Sequence, residues 1–296
     1  MLIHPIYLHC NTLFRKTTLV NQMKKPLEDV KGSFIEGKFD SFSRPDIVLS
    51  SALNSFFGKI LESDSTKYMS MKWRIHDAIG SGSNEILLHL LPNLQTWMFD
   101  DSTSDDDRAP SSKVIGSSHR LKFLFCKLIS AIACRDNPLI LVLDDLQWAD
   151  EMTLDVIRMV MTDPDIGYFL LVGCYRDNEV NMSHPLMVKL RAIQERGISI
   201  TPIKVGPIGR ECANTMVSEK LCLPPSLSRP FSSVVHGKTG GIVMFIMRFL
   251  ASLNNEGDLS YSMSHRRWVY DLKQVSMKEI RDDGKSMPTF CMILLP

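Results

Sequence analysis

Two adjacent carboxylates, Asp144 and Asp145, follow directly on the apolar run Leu139-Ile140-Leu141-Val142-Leu143. A run that short, apolar on both faces and rich in branched residues, suits the central strand of a covered parallel sheet. Acids at the carboxyl end of such a strand lie where open α/β sheets bind their ligands. The chemistry that uses this arrangement is magnesium-nucleotide hydrolysis, in which one carboxylate holds the metal's water shell and the next polarises the attacking water. On these residues alone, a buried strand ending in a solvated Asp-Asp turn reads equally well.

Nucleotide chemistry also needs a phosphate cradle: a glycine-rich loop after a strand, then Lys and Ser/Thr at a helix N-terminus. Here Lys16-Thr17-Thr18 opens a helical pattern after a short strand over Ile3–Cys10. In that role Lys16 contacts the terminal phosphates and Thr17 the magnesium. The positions that call for glycine hold Cys10 and Arg15 instead, and a Cβ at each compromises the tight left-handed loop. Taken alone, RKTTLV is a basic helix start.

The elements that must position these groups alternate along the chain. Helical spacing covers about Lys16–Val30, Asp46–Leu61, Met71–Ile79, Asn84–Leu91 (stopped by Pro92), Gly116–Cys134, Glu151–Met161 and His184–Arg196. Strands are predicted over Gly32–Phe39, from Pro138 to the acidic pair, over Ile166–Cys174 and over Ile198–Val205. This alternation predicts an α/β fold with a doubly wound, mostly parallel sheet. Past Gly206 the strands stop, and Arg210–Leu221, Pro225–His236 and Ile242–Asn254 predict a small helical domain. The acidic stretch Asp100–Ser112 reads as a loop or disordered insertion, and the tail from Lys278 shows no period.

Composition is that of an ordinary globular protein, with 44% hydrophobic residues and a net charge of +1. That balance gives no electrostatic case for nucleic acid or an acidic membrane as partner. The seven scattered cysteines contain no CxxC pair, which favours reduced thiols in a cytoplasmic setting over a disulfide framework or a zinc site. Apolar runs of about ten residues are too short to span a bilayer.

Five segments occur in a telling order: GSFIEGKFD (Gly32–Asp40), PLILVLDDLQWAD (Pro138–Asp150), LLVGCYRDNEV (Leu170–Val180), and HGKTGG (His236–Gly241) ahead of RRWVYDL (Arg266–Leu272). Together they resemble the AAA-type P-loop ATPase domain of the STAND class, with kinship to origin-recognition-type AAA ATPases, as found in multi-domain signalling proteins. The resemblance implies a P-loop NTPase core over 1–205, a helical lid over 206–262, and a truncated winged-helix region or irregular tail over 263–296. It implies ATP and Mg2+ as ligands, with Lys16, Thr17 and Thr18 on phosphate and with Thr17 and Asp144 on the metal, Asp144 through water. Asp145 would then orient water, and Arg176 would be the arginine that touches the terminal phosphate. A surface pairing of Arg176 with Asp177 or Glu179 is the alternative. Trp148 is expected to pack in the core, and His184-Pro185 either lines the adenine side or simply starts a helix.

The expected function is an ATP-binding, at most weakly hydrolysing switch domain, partnered by ATP or ADP and by kinase, cyclase or sensor modules of a signalling protein. A nucleotide-free scaffold is the alternative. The chain departs from the family pattern in its glycine loop, in Gly240-Gly241-Ile242 where Gly-Asn-Pro is usual, and in its tail. Both ends therefore read as a fragment or an imperfect gene model.

Overall fold

The computed structural model describes residues 20–41, 45–63, 68–79, 85–99, 118–204, 206–264, 267–278 and 290–294, the last by backbone alone. The elements are α1 (Lys24–Asp29), β1 (Ser33–Lys38), α2 (Pro45–Leu61), α3 (Met69–Ile79), α4 (Glu85–Leu90), α5 (Pro92–Met98), α6 (Ser118–Ile132), β2 (Leu139–Asp144) and α7 (Glu151–Thr162). They continue with β3 (Phe169–Tyr175), α8 (Pro185–Gln194), β4 (Ile200–Ile203), α9 (Arg210–Leu221), α10 (Pro225–Thr239) and α11 (Val243–Asn255). The last are β5 (Leu259–Ser262), β6 (Arg267–Tyr270), α12 (Leu272–Met277) and β7 (Phe290–Leu294). The expected strand over Ile3–Cys10, the Lys16-Thr17-Thr18 helix start and the Asp100–Ser112 loop lie outside the described residues.

β2 is the axis of the main sheet. It pairs in parallel with β1 on one side and β3 on the other, so that Lys38 sits opposite Asp144 and Leu143 opposite Gly173. Its residues Leu139 to Leu143 are all buried. Since successive side chains point to opposite faces, uniform burial means that both faces of the sheet are covered. The α/β class with a mostly parallel sheet is therefore what the protein adopts.

Two expectations are corrected and a third is extended. Pro92 does end α4, but it also opens α5 from its first helical position, where a missing N–H costs nothing. Strands do not stop at Gly206: β5 and β6 form an antiparallel hairpin, too short at four residues each to show a clear alternation. The tail also contributes an element. β7 runs antiparallel between β3 and β4, completing the order β1-β2-β3-β7-β4. Its apolar sequence FCMIL is the continuous type of strand, which has no period to detect.

Two hydrophobic cores follow. The first gathers β1 to β3 and helices α2 to α8 around residues such as Phe57, Phe125, Leu143 and Val172. The second is built by α9, α10 and α11 around Phe231, Val235, Ile246 and Leu253, and it includes Leu259 and Val275 from the hairpin region. Gly241 ties this second unit to the segment leading into it. Its φ is +75°, and a Cβ there would lie 2.4 Å from the Ile208 carbonyl oxygen. That close approach lets the Ile208 N–H bond the Gly241 carbonyl at 2.9 Å, while the Ile208 carbonyl lies 2.9 Å from His236 Nε2. Glycine at position 241 therefore has a steric reason of its own. Among the described residues no single helix is long and apolar enough to cross a membrane.

Three helices over the first core are clamped by one carboxylate. Asp155 on α7 accepts from Lys122 of α6 at 2.7 Å and from Lys189 of α8 at 2.6 Å. Burial pushes the Asp155 carboxyl up, but the hydrogen bonds and charges of the two lysines outweigh it and hold the group below its ordinary value. A carboxylate depressed in the folded state adds stability that is complete above its unfolded pKa and lost as pH falls through the folded one. Asp155→Asn is expected to lower unfolding free energy by about 1–3 kcal/mol at neutral pH. In urea titrations the gap from wild type should narrow once pH falls below the unfolded value of 3.8.

Candidate functional site

The site is assembled where β2 and β3 end side by side. Asp144 is the last residue of β2 and is partly exposed. Its Oδ1 accepts the N–H of Asp145 at 3.0 Å. Asp145 leaves the strand in the left-handed region, with φ 56° and ψ 44°, and starts a short 3-10 turn over Leu146–Trp148. Aspartate tolerates this conformation better than most residues, and here the reversal carries its side chain inward, leaving the residue 4% exposed.

A carboxylate so far removed from water needs partners, and it has two. Arg176, one residue past β3, places Nε 3.4 Å from Asp145 Oδ1. Gln147 donates its Nε2 hydrogen to the same oxygen at 3.1 Å. The other end of that amide accepts the backbone N–H of Arg176 at 3.2 Å. Gln147 thus bridges the two strand ends with both halves of its side chain. Arg176 has a further partner, since its Nη1 donates to Glu179 Oε1 at 2.9 Å. Glu179 is held at that spacing by a 3-10 turn in which its own N–H bonds the Arg176 carbonyl.

Of the residues expected to act, the fold brings Asp144, Asp145 and Arg176 to one strand edge. Lys16, Thr17 and Thr18 lie outside the described residues. Arg176 lies against Asp145 and makes the Glu179 pairing that the sequence offered as the alternative. Trp148 departs from expectation: it is 39% exposed and not a core residue, because the turn begun by Asp145 rotates it outward while Leu146 and Gln147 go in. His184 caps α8 by accepting the Leu186 N–H through Nδ1 at 3.2 Å, the helix-start role. Asp150 likewise caps α7 by accepting from Thr153.

The role of Gln147 escaped the sequence, because a hydrogen bond across twenty-nine positions leaves no periodic trace. At this edge two carboxylates, Asp145 and Glu179, stand against the guanidinium of Arg176. Among the described residues no group of three or more His, Cys, Asp or Glu side chains is arranged to hold a metal ion. A separate cleft of about 320 Å3, lined by Lys24, Ser33, Glu36, Lys59 and Tyr68 among others, borders β1 and contains none of these residues. Nothing in its lining matches the chemistry at the strand ends.

A family model described as AAA ATPase domain matches residues 16–172, a span that includes β2 and its acidic pair. The chain is 22% identical, over 90% of its length, to a protein from Dictyostelium discoideum described as hybrid signal transduction histidine kinase G. It spans only 9% of that protein. No solved structure matches the chain.

Gln147→Leu deletes both of its hydrogen bonds while keeping its bulk, leaving the Arg176 N–H unpaired and Asp145 with one partner fewer. The expected loss is about 1–3 kcal/mol of unfolding free energy. Trp148→Ala, one position along, should stay within about 0.5 kcal/mol of wild type. Equal effects in a denaturant titration would show that the amide bridge is not what holds the strand ends.

Proposed function

This chain belongs to the AAA ATPase domain family, and we propose that it is a nucleotide-gated switch of the STAND type within a larger signalling protein. The observation that carries the proposal is the meeting of Asp144, Asp145 and Arg176 at the end of a fully buried parallel strand. The ligands are MgATP and ADP, held between the strand ends and the helical unit over 206–262, which acts as a lid on the core over 1–205. Within 263–296, β6 and α12 pack with the helical unit and β7 completes the core sheet.

Each residue has a definite task in this reading. Lys16 and Thr18 bind phosphate oxygens, and Thr17 with Asp144 holds the metal, Asp144 through water. Magnesium, when bound, neutralises phosphate charge. Asp145 is fixed by Gln147 and orients a water for attack. Arg176 stabilises charge on the terminal phosphate through its planar guanidinium. A kinase relative whose name places it in signal transduction supports the signalling context. Exchange of ADP for ATP would then reorient the lid against a neighbouring module.

A scaffold that has lost nucleotide binding is the second reading. Cys10 and Arg15 at the glycine positions favour it, and so does an Arg176 already engaged by two carboxylates.

A thermal-shift series separates the two. MgATP at one hundred times its dissociation constant is expected to stabilise the fold by about 2.7 kcal/mol, or roughly 5–10 °C for a chain of this size. Lys16→Ala should abolish most of that shift. Asp145→Asn should retain binding and lose whatever hydrolysis wild type shows. Absence of any shift with ATP or ADP, with and without magnesium, would establish the scaffold instead.

A further inference from the structure

Glu179 does more at this edge than close a turn. It lies three residues after Arg176, and its Oε1 takes the Nη1 hydrogen at 2.9 Å. Its other oxygen, Oε2, is buried and has no hydrogen-bond partner. The pairing therefore falls short of the two-pronged grip that carboxylates usually give arginine, and it leaves one oxygen desolvated without compensation. A terminal phosphate presents three oxygens and more negative charge to the same guanidinium. Where both are present, the phosphate is the better partner.

From this we infer that Glu179 is an intramolecular competitor for Arg176 that sets how strongly the site prefers a nucleoside triphosphate over a diphosphate. This rests on the nucleotide-switch reading. Without ligand, Glu179 and Asp145 hold the guanidinium at the strand ends, 26% exposed at its side chain. A triphosphate must displace Glu179 to reach it, and part of its binding energy goes into that exchange. A diphosphate lacks the group that competes, so its affinity is nearly indifferent to Glu179. The residue thereby narrows the gap between the two nucleotides and keeps the switch from locking in its triphosphate state.

The test is a titration of the whole chain with a fluorescent non-hydrolysable ATP analogue and with fluorescent ADP, both with magnesium. Glu179→Gln is expected to tighten the triphosphate at least threefold while changing ADP less than twofold. Glu179→Asp, which keeps the charge but shortens its reach, should fall between wild type and Gln. Either variant suffices if the other fails to fold. Glu211→Gln removes an equal charge from an exposed pair with Arg229 in the second core's helices and should change neither affinity. In an Arg176→Ala background the Gln substitution should have no effect. Measurable binding that ignores Glu179, or that responds equally to Glu211→Gln, overturns the competitor role alone. No binding by wild type or any variant overturns the nucleotide-switch reading, and this inference with it.

Discussion

The arrangement turns on a carboxylate taken out of water. Asp145 stands at the end of a strand buried on both faces, and its backbone turns through the left-handed region to bring the side chain inward. At 3.4 Å and an effective dielectric near 20, its gross attraction to Arg176 is about 5 kcal/mol. Desolving the two ions costs several kcal/mol each, so the pair by itself comes close to breaking even. Its structural weight lies in the asymmetry: removing one member strands the other as an uncompensated charge, at about 3–5 kcal/mol. Hence the ends of β2 and β3 are fixed to each other by an ion pair and by the amide of Gln147. The backbone pairing itself runs as far as Leu143 opposite Gly173, and these contacts extend the tie beyond it.

The sheet was legible in the sequence because burial on two faces writes itself as a continuous apolar run, and β2 and β3 both have one. The long helices announced themselves by period, and the boundaries of α2, α6 and α7 fall within two residues of those expected. Legibility failed where the determinant is short or non-local. β5 and β6 are four residues each, and β7 joins the sheet from about 120 residues beyond its β3 partner. Pro92 shows a different failure. A proline marks both the end of one helix and the best first residue of the next, and only the packing of Leu94 and Trp97 into the first core decides that a helix follows.

The candidate site divides along the same line. Asp144, Asp145 and Arg176 could be singled out because charged residues at the ends of apolar strands are rare enough to stand out. Glu179 could be read as a partner for Arg176 three residues before it, but Gln147 could not be given a role, since it acts through a contact fixed by turn geometry. For Gln147 that geometry is the left-handed turn at Asp145, which sends residues 146 and 147 inward and Trp148 outward. A strand simply continued past Asp144 would have alternated them.

The same contacts explain why a family signature spread over two strands behaves as one unit. LDDLQWAD and YRDNEV are separated in sequence by α7, yet Asp145, Gln147, Arg176 and Glu179 form a connected chain of hydrogen bonds and ion pairs. In such a network the energies are not additive, because deleting one member changes the solvation of the next. A guanidinium with acids on two sides has nearly balanced choices, and small differences in what approaches it are enough to redirect it. The Glu179 oxygen left without a partner marks the weaker side of that balance. Asp145, tied down by Gln147 as well, is the side that stays.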